Sequence, residues 1–281
     1  MDMILIEGGE FAMGAARFYA EERPVRRVRV APFRIDALPV TNAAFARFVT
    51  ATGYTTVAER PRGAATGSLV FVRPTSPVSL DDPAQWWRFV AGASWRRPRG
   101  PASSLAGLED HPVVHVAYED ALAYAAWVGK ALPSEAQWEF AARGGLDGAD
   151  YAWGNALAPE AMMLANYWQG AFPLENTLAD GWEFTAPVGS FPANGYGLYD
   201  MIGNVWEWTA DAWSAPGHPA RDDAAPCCAP APDAPAARRV IKGGSYLCAA
   251  NYCQRYRPAA RQGQAVDVPT GHLGLRCVSP A

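Results

Sequence analysis

The sequence has no long hydrophobic run and no excess of charge of either sign. No segment approaches the ~20 apolar residues of a membrane-spanning helix, and the start, MDMILIEGGEF, lacks the basic leader and apolar stretch of a signal peptide. The formal net charge is −4 over 281 residues, which gives no reason to expect nucleic-acid or membrane-surface binding. We therefore expect a cytoplasmic protein that binds neither nucleic acid nor a membrane.

Cysteine is also scarce and is confined to the last quarter of the chain. The five cysteines are Cys227, Cys228, Cys248, Cys253 and Cys277. A secreted protein held together by disulfide bonds would spread an even number of cysteines along the chain, so this set argues against that class. In a reducing compartment the thiols stay reduced, and a close pair is then more typical of metal binding or catalysis.

Glycine, proline and tryptophan, in contrast, are plentiful, with 26, 24 and 11 residues. Glycine and proline interrupt long elements, whereas tryptophan supplies large buried surfaces. Half of the residues are hydrophobic, enough for a sizeable core. We predict a single domain over residues 1–281 with few helices, short strands and much ordered loop. Residues 214–239, rich in alanine and proline, are expected to form an inserted surface loop.

Local patterns predict several elements. Residues 3–14 have the pattern strand, Gly-Gly turn, strand, and residues 24–35 predict a strand with one buried face. Residues 54–110 are expected to be irregular. Helix start and stop signals predict three helices: from N-cap Thr41 to Gly53, over residues 118–128, and from a capping box at Ser134 to Arg143.

Two cysteines lie close together in GGSYLCAANYCQRYRPAAR, residues 243–261. Cys248 and Cys253 are compatible with two buried structural thiols, with thiol–disulfide chemistry, or with Cu(I), which two sulfurs suffice to hold. Arg255 and Arg257 would favour thiolates if they lie near the sulfurs. A zinc site needs four ligands, but no CxxC accompanies the pair and none of the four histidines has zinc-motif spacing: His111, His115, His218 and His272.

Oxygen-bearing side chains recur in turns between residues 166 and 207. They are Asn166, Asp180, Asp200, Asn204 and Glu207. Carboxylate, amide and backbone oxygens are the ligands that calcium prefers, but asparagine and aspartate also cap turns without any metal. Glu207 lies between two tryptophans in GNVWEW, so if it is buried it must be paired or bind a cation.

Nearly the whole chain resembles the formylglycine-generating enzymes, the sulfatase-modifying oxidase family. The matching segments include GGEFAMG, HPVVHVAYEDALAYAAWVGKALPSEAQWEFAARGG, YDMIGNVWEW and GHLGLRCV. These motifs are shared by a broad superfamily, whereas GGSYLC…YCQRYRPAAR is far more specific to the formylglycine-generating branch. The resemblance implies an α+β, C-type-lectin-like fold with little regular secondary structure and much ordered loop.

The resemblance implies oxidation of the cysteine in a Cys-x-Pro-x-Arg motif to Cα-formylglycine. The partners would be an unfolded or nascent sulfatase polypeptide and dioxygen, and the enzyme itself is expected to be a monomer. By this resemblance Cys248 and Cys253 hold Cu(I), the substrate thiolate joins as a third sulfur ligand, and a thioaldehyde hydrolyses to the aldehyde. Ser245 matches a family active-site serine.

Further site residues follow from the same resemblance. Trp206, Arg255 and His272 are assigned to substrate binding, although His272 lies where the family often has asparagine. Two structural calcium sites are implied, and Asp200 replaces an asparagine at the second. Their expected ligands are Asn166, the Tyr167 carbonyl, Asp180 and the Trp182 carbonyl at the first, and Asp200, the Gly203 and Val205 carbonyls and Glu207 at the second.

Two alternatives stay open beside the copper oxidase. One is a non-catalytic, C-type-lectin-like binding module braced by calcium, since fold alone does not fix function. The other is metal-free dithiol chemistry at the cysteine pair. Ala125 and Pro258 stand where secreted relatives have disulfide cysteines, which fits a bacterial-type cytoplasmic member of the family. The sequence suggests no role for Cys227 and Cys228.

Overall fold

A computed structural model describes residues 2–61, 66–214 and 237–281. Most of the predicted surface loop at 214–239, with Cys227 and Cys228, lies outside the described residues. The helices are α1 Asn42–Thr52, α2 Tyr118–Trp127 and α3 Glu135–Arg143. The strands are β1 Met3–Ile6, β2 Gly9–Met13, β3 Arg26–Val30, β4 Phe33–Asp36, β5 Gly67–Phe71, β6 Trp87–Ala91, β7 Trp206–Ala212, β8 Arg238–Lys242, β9 Arg261–Ala265, β10 Leu273–Gly274 and β11 Val278–Pro280.

The three predicted helices are confirmed, and their ends follow the local signals. The Thr41 hydroxyl accepts a hydrogen bond from Ala44 N at 3.1 Å, and Gly53 ends α1 in the left-handed conformation. At α3, Ser134 and Gln137 form the expected capping box and Gly144 is left-handed. These caps satisfy backbone groups that a helix end leaves unpaired. The helix boundaries could therefore be predicted from the sequence.

The strands form small sheets, and the α+β class is confirmed. A four-stranded sheet has the order β10-β7-β8-β9, in which β10 runs parallel to β7 and the other pairs are antiparallel. A three-stranded sheet, β1-β4-β11, joins the beginning of the chain to its end. Two-stranded sheets pair β2 with β3 and β5 with β6. Loops connect most of these elements.

The strand predictions were partly wrong. The single strand expected over residues 24–35 is two strands, β3 and β4, that belong to different sheets. Residues 54–110, expected to be irregular, contain the antiparallel pair β5 and β6, with Leu69 opposite Phe89. The pattern of apolar residues did not distinguish one strand from two, whereas Pro32, which cannot donate to a strand ladder, marks the break between them.

Tryptophan side chains and a buried charge network fill the centre. Trp95, Trp138 and Trp208 are completely buried. Lys242, at the end of β8, is also completely buried, and its Nζ donates to Glu139 Oε2 at 2.8 Å from helix α3. This contact fixes the end of β8, from which the chain enters the loop that carries the two cysteines. Among the described residues, no helix is long and apolar enough to cross a membrane.

Candidate active site

The cysteine-bearing loop begins where β8 ends. Gly244 has a φ of +73°, and a side chain there would place a Cβ 2.6 Å from the Arg255 carbonyl oxygen, so the loop can fold back on itself only with glycine. Two turns follow. Cys248 N donates to Ser245 O, and Cys253 N donates to Ala249 O, each at 2.9 Å.

These turns bring the two predicted sulfurs together. Cys248 Sγ and Cys253 Sγ are 3.3 Å apart, and the cysteines are 2% and 8% exposed. Neither is in a disulfide bond. The remaining described cysteine, Cys277, directly precedes strand β11 and is completely buried near Asp36. Burial raises the pKa of its thiol.

The electrostatics differ between the two thiols. The hydrogen bond from Cys248 lowers the pKa of Cys253, and the positive charge of Arg255 lowers it further. Burial raises the pKa of Cys248 instead. Arg255 Nη1 lies 3.7 Å from Cys253 Sγ. Arg257, the other arginine suggested by the sequence, turns away and forms a buried ion pair with Glu22.

Described residues around the pair form a cleft of about 560 Å³. Among the residues expected at the site, Trp206, Ser245 and His272 line it together with both cysteines. The backbone explains part of this arrangement, because Trp206 N donates to His272 O at 2.9 Å where β7 meets β10. Arg255 is not among the described lining residues, although its Nη1 lies within 3.7 Å of Cys253 Sγ.

Aromatic residues that sequence reasoning did not assign to the site make the cleft walls. They are Trp86, Trp87, Phe172 and Tyr252. The rings of Phe172 and Tyr252 are stacked at 4.7 Å, and that of Trp86 meets both edge-on at 5.3 Å. Two signals were present: the adjacent tryptophans in AQWWRF, in the segment expected to be irregular, and Tyr252, which directly precedes Cys253.

Ser245 and His272 form a polar contact inside the cleft. Ser245 Oγ lies 3.1 Å from His272 Nδ1 and accepts from Leu247 N at 3.3 Å. Burial, followed by the nearby His115, lowers the pKa of His272 to about 3. The imidazole is therefore neutral near pH 7, and its tautomer sets which of Ser245 Oγ and His272 Nδ1 donates in this contact.

The first predicted calcium cluster contains an orphaned oxygen. Asn166 is 1% exposed, and its Oδ1 is buried without a hydrogen-bond partner among the described residues. Asp180 accepts from Tyr167 N at 3.1 Å and from Trp182 N at 2.9 Å. The amide nitrogen of Gln169 donates to both the Tyr167 carbonyl and Asp180. An unpaired buried acceptor such as Asn166 Oδ1 fits an oxygen-ligated cation.

The second predicted cluster already has a cation of its own. Arg276 binds Glu207 through two hydrogen bonds of 2.7 and 2.9 Å, and Trp138 Nε1 donates to the same carboxylate at 2.7 Å. Asp200 accepts from Gly189 N at 2.7 Å, and burial raises its pKa to about 6. The donor set therefore fits calcium less well here than at Asn166.

The cysteine pair has the donor set of a soft ion. Within the described part of the chain, no group of three or more His, Cys, Asp or Glu side chains could hold a metal ion. Zinc, which takes four ligands, has no such set at the pair. Two sulfurs without further side-chain ligands fit Cu(I).

Comparison with known proteins gives a family match over the full length. A family model described as the sulfatase-modifying factor enzyme 1-like domain matches residues 1–281. The chain is 50% identical over 293 residues to the formylglycine-generating enzyme of Mycobacterium tuberculosis, covering 99% of this chain and 97% of that protein. It is 49% identical over 286 residues to that of Thermomonospora curvata, covering 99% and 93%.

Two further similarities extend the comparison. The inactive C-alpha-formylglycine-generating enzyme 2 of Mus musculus is 41% identical over 289 residues, covering 99% of this chain and 86% of that protein. The solved structure of PvdO from Pseudomonas aeruginosa has a TM-score of 0.67 at 26% identity, covering 99% of this chain and 94% of the other. Active and inactive proteins thus share the sequence pattern, so the residues of the site have to distinguish between them.

Proposed function

The chain belongs to the sulfatase-modifying factor enzyme 1-like family, and from this premise we propose that it is a formylglycine-generating enzyme. Its substrate is a cysteine in a Cys-x-Pro-x-Arg motif of an unfolded or nascent sulfatase, its oxidant is dioxygen, and its metal is Cu(I). The product is Cα-formylglycine: the carbon that carried the thiol is oxidised by two electrons to an aldehyde and its sulfur leaves as hydrogen sulfide. Reduction of dioxygen to two waters takes four electrons, so an external thiol reductant supplies the other two.

One observation carries this proposal: two unbridged thiols with sulfurs 3.3 Å apart lie at the floor of an aromatic cleft. A non-catalytic relative needs no such pair, whereas a copper oxidase does. Cys248 and Cys253 would hold the ion, which supplies oxygen-activating redox chemistry when bound. Cys227 and Cys228 are outside the described residues and have no part in the proposal.

The chain's own residues bind and orient the substrate. The cleft beside the cysteines holds the substrate thiol next to their sulfurs, which converts an encounter between separate molecules into a reaction between fixed groups. The rings of Trp86, Phe172 and Tyr252 exclude water from that place, and each charge–charge interaction is stronger there than in solvent. The Ser245 hydroxyl, held 3.1 Å from His272 Nδ1, provides a polar contact inside the cleft.

Calcium is proposed as a structural ion at the first cluster. The orphaned Asn166 Oδ1 and the Asp180 carboxylate supply oxygen ligands, and the carbonyls of Tyr167 and Trp182 complete the proposed set. The role is to brace loops that lack a helix or a sheet. The second ion expected from the sequence has weaker support, because Arg276 already neutralises Glu207.

The test is mass spectrometry of a Cys-x-Pro-x-Arg peptide incubated with copper-loaded protein in air. We expect loss of the thiol sulfur and gain of an aldehyde that reacts with a hydrazide probe. A peptide with serine in place of the cysteine is the matched control, and a Cu(I)-specific chelator should stop the conversion. Absence of aldehyde and of oxygen consumption with copper-loaded, reduced protein would contradict the proposal and favour the binding module.

Metal-free dithiol chemistry gives a different result in the same experiment. That alternative predicts a readily formed Cys248–Cys253 disulfide and a conversion that continues in the presence of the chelator. Inhibition by the chelator together with copper binding would exclude it. The experiment therefore separates the three interpretations without structural information on the substrate complex.

A further inference from the structure

We propose that Glu21 and Tyr19 are positioning residues that hold the Arg255 guanidinium against Cys253 Sγ, as the counter-charge of the two-sulfur Cu(I) site. This inference rests on the proposed function, because it concerns the same two sulfurs. The segment that carries Tyr19 and Glu21 lies more than 200 residues from Arg255 along the chain. No sequence pattern pointed to a role for this segment in the site.

The guanidinium is held from three sides. Its Nη1 lies 3.7 Å from Cys253 Sγ, and its Nη2 donates to Glu21 Oε1 at 2.5 Å. The central carbon of the guanidinium is 3.9 Å from the centre of the Tyr19 ring, within the range of a cation–π interaction. Arg255 is partly buried between these groups, with 21% of its side chain exposed.

The segment that carries Tyr19 and Glu21 is itself fixed to the cysteine loop. The Tyr19 hydroxyl oxygen accepts from Gln254 N at 2.9 Å, and the Glu21 carbonyl accepts from Arg261 at 3.2 Å. Next to them, the Glu22–Arg257 ion pair is almost completely buried, with 0% and 1% of the two side chains exposed. Breaking a buried pair of this kind is costly, so the segment offers a rigid support.

One atom indicates that the guanidinium is directed at the sulfur. Arg255 Nε is buried without a hydrogen-bond partner among the described residues. An arginine placed to satisfy a carboxylate usually pairs with it through two parallel hydrogen bonds, as Arg261 does with Glu135. Arg255 uses only one nitrogen for Glu21, and a second faces Cys253. The surroundings therefore maintain an orientation that leaves a donor unsatisfied.

Charge explains why the orientation matters. Two thiolates and one Cu(I) carry a net charge of −1, on two cysteines that are only 2% and 8% exposed. Arginine keeps its positive charge at every relevant pH, so Arg255 offsets that charge without any proton transfer. Groups that surround metal ligands in this way typically change metal affinity by ~10–100-fold when they are removed.

Glu21 has two possible effects, and they have opposite signs. As an acceptor that holds Arg255 in place, it strengthens Cu(I) binding. As a negative charge near an anionic site, it weakens binding. Because Arg255 lies between Glu21 and the sulfur, we infer that the positioning effect dominates.

The experiment measures the Cu(I) dissociation constant of the full chain by anaerobic competition with a chromophoric Cu(I) chelator. We expect Arg255→Met to weaken Cu(I) binding ~10–100-fold and Glu21→Ala to weaken it in the same direction. Glu21→Gln keeps an acceptor oxygen and should recover most of the affinity. The matched control is Arg27→Met, which removes an exposed arginine paired with Asp147 and should leave the affinity unchanged.

Each outcome decides. The positioning role would be overturned if both Glu21 variants bound Cu(I) as tightly as the wild type or more tightly, or if Arg255→Met kept the wild-type affinity. If Glu21→Ala does not fold, Tyr19→Leu takes its place, since it removes the ring that lies 3.9 Å from the Arg255 guanidinium. It should weaken Cu(I) binding, and wild-type affinity in it would overturn the positioning role. Wild-type protein that binds no Cu(I) would refute the proposed function and this inference together. Wild-type protein that binds Cu(I) and forms aldehyde while the variants keep full affinity would refute this inference alone.

Discussion

At the scale of single residues, the three described cysteines have different surroundings although all are buried. Cys248 and Cys253 face each other across 3.3 Å beside a cleft, and an arginine approaches one of them. Cys277 is a free, buried thiol with no sulfur contact among the described residues, and its backbone N donates to Asp36. Burial alone therefore does not separate a reactive thiol from a structural one, but the neighbours do.

Substitution of either paired cysteine tests this difference. In Cys248→Ser or Cys253→Ser one sulfur is left, and the hard hydroxyl oxygen is a poor ligand for Cu(I). We expect stoichiometric Cu(I) binding and aldehyde formation to be lost in both variants, measured by chelator competition and by peptide mass spectrometry. Cys277→Ala is the matched control and should keep both properties. Full activity in either serine variant would contradict the assignment.

The sequence indicated the pair because the two cysteines are only five positions apart. Short spacing within a turn brings side chains together whatever the rest of the fold does, so the proximity of Cys248 and Cys253 follows from local structure. The choice between Arg255 and Arg257 does not. It depends on Glu21 and Glu22, which come from the other end of the chain and engage one arginine each.

At the scale of elements, the helices could be predicted from the sequence and the strand pairs could not. Helix caps are contacts between residues a few positions apart, as at Thr41 and Ser134. In contrast, strand β4 pairs with both β1 and β11, so its partners come from the two ends of the chain. Such pairing is decided by packing across the whole fold. For the same reason the sequence did not reveal the contact of Trp87 with His272, because the two residues are far apart in the chain and their rings meet only in the folded protein.

Helix α3 offers a test at this scale, since its first turn depends on one side chain. The Ser134 hydroxyl accepts from Gln137 N at 3.1 Å. Loss of a capping side chain typically costs about 1 kcal/mol, so Ser134→Ala should lower the free energy of unfolding by that amount in a urea titration. Ser134→Asp keeps a capping oxygen and should be close to wild type. Cu(I) affinity should not change in either variant; a change would show that the cap affects the distant cysteine loop.

At the scale of the whole molecule, a buried histidine links stability to pH. His115 is completely buried, its Nε2 lies 2.8 Å from the Pro98 carbonyl, and its Nδ1 lies 2.8 Å from Ser68 Oγ. A carbonyl only accepts, so Nε2 carries the proton of a neutral ring. Burial lowers the pKa of His115 to about 4, against about 6.5 in the unfolded chain.

The sign follows from which state binds protons first. Between pH 6.5 and 4 the unfolded chain binds a proton that folded His115 does not, so this histidine's stabilising contribution is complete above about pH 6.5. It is lost as the pH falls towards 4, by about 3 kcal/mol in total. Asp120 acts in the opposite sense, since burial raises its pKa to about 6 and the folded state takes up its proton first. The pH dependence of wild-type stability alone therefore does not isolate His115.

A comparison with His115→Asn does isolate it. Asparagine tolerates the left-handed backbone at this position, where φ is +60°, and it does not titrate. We expect the variant to be less stable than wild type at pH 7.5 and the difference to shrink as the pH is lowered to 5. Urea titrations at a series of pH values give that difference, and a constant difference across the range would show that His115 does not change its protonation on unfolding.

The loops that surround the site make the protein's stability depend on a cation, if the first calcium cluster is occupied. A ligand that binds only the folded state stabilises it by about 2.7 kcal/mol at a hundredfold excess over Kd, which corresponds to roughly 5–10 °C in Tm for a chain of this size. We expect addition of a calcium chelator to lower Tm by that order, and Asn166→Ala to remove the calcium-dependent part. Asn155→Ala, the same change at an exposed asparagine outside the cluster, should leave the calcium-dependent part of Tm intact.

Because Asn166 also hydrogen-bonds Phe184 O, the Asn166 variant will melt lower in any case. The quantity that decides is therefore the difference in Tm with and without calcium. A remaining shift in that variant would locate a second ion at Asp200 and Glu207 despite Arg276, whereas no shift in the wild type would mean that the orphaned Asn166 oxygen has another partner.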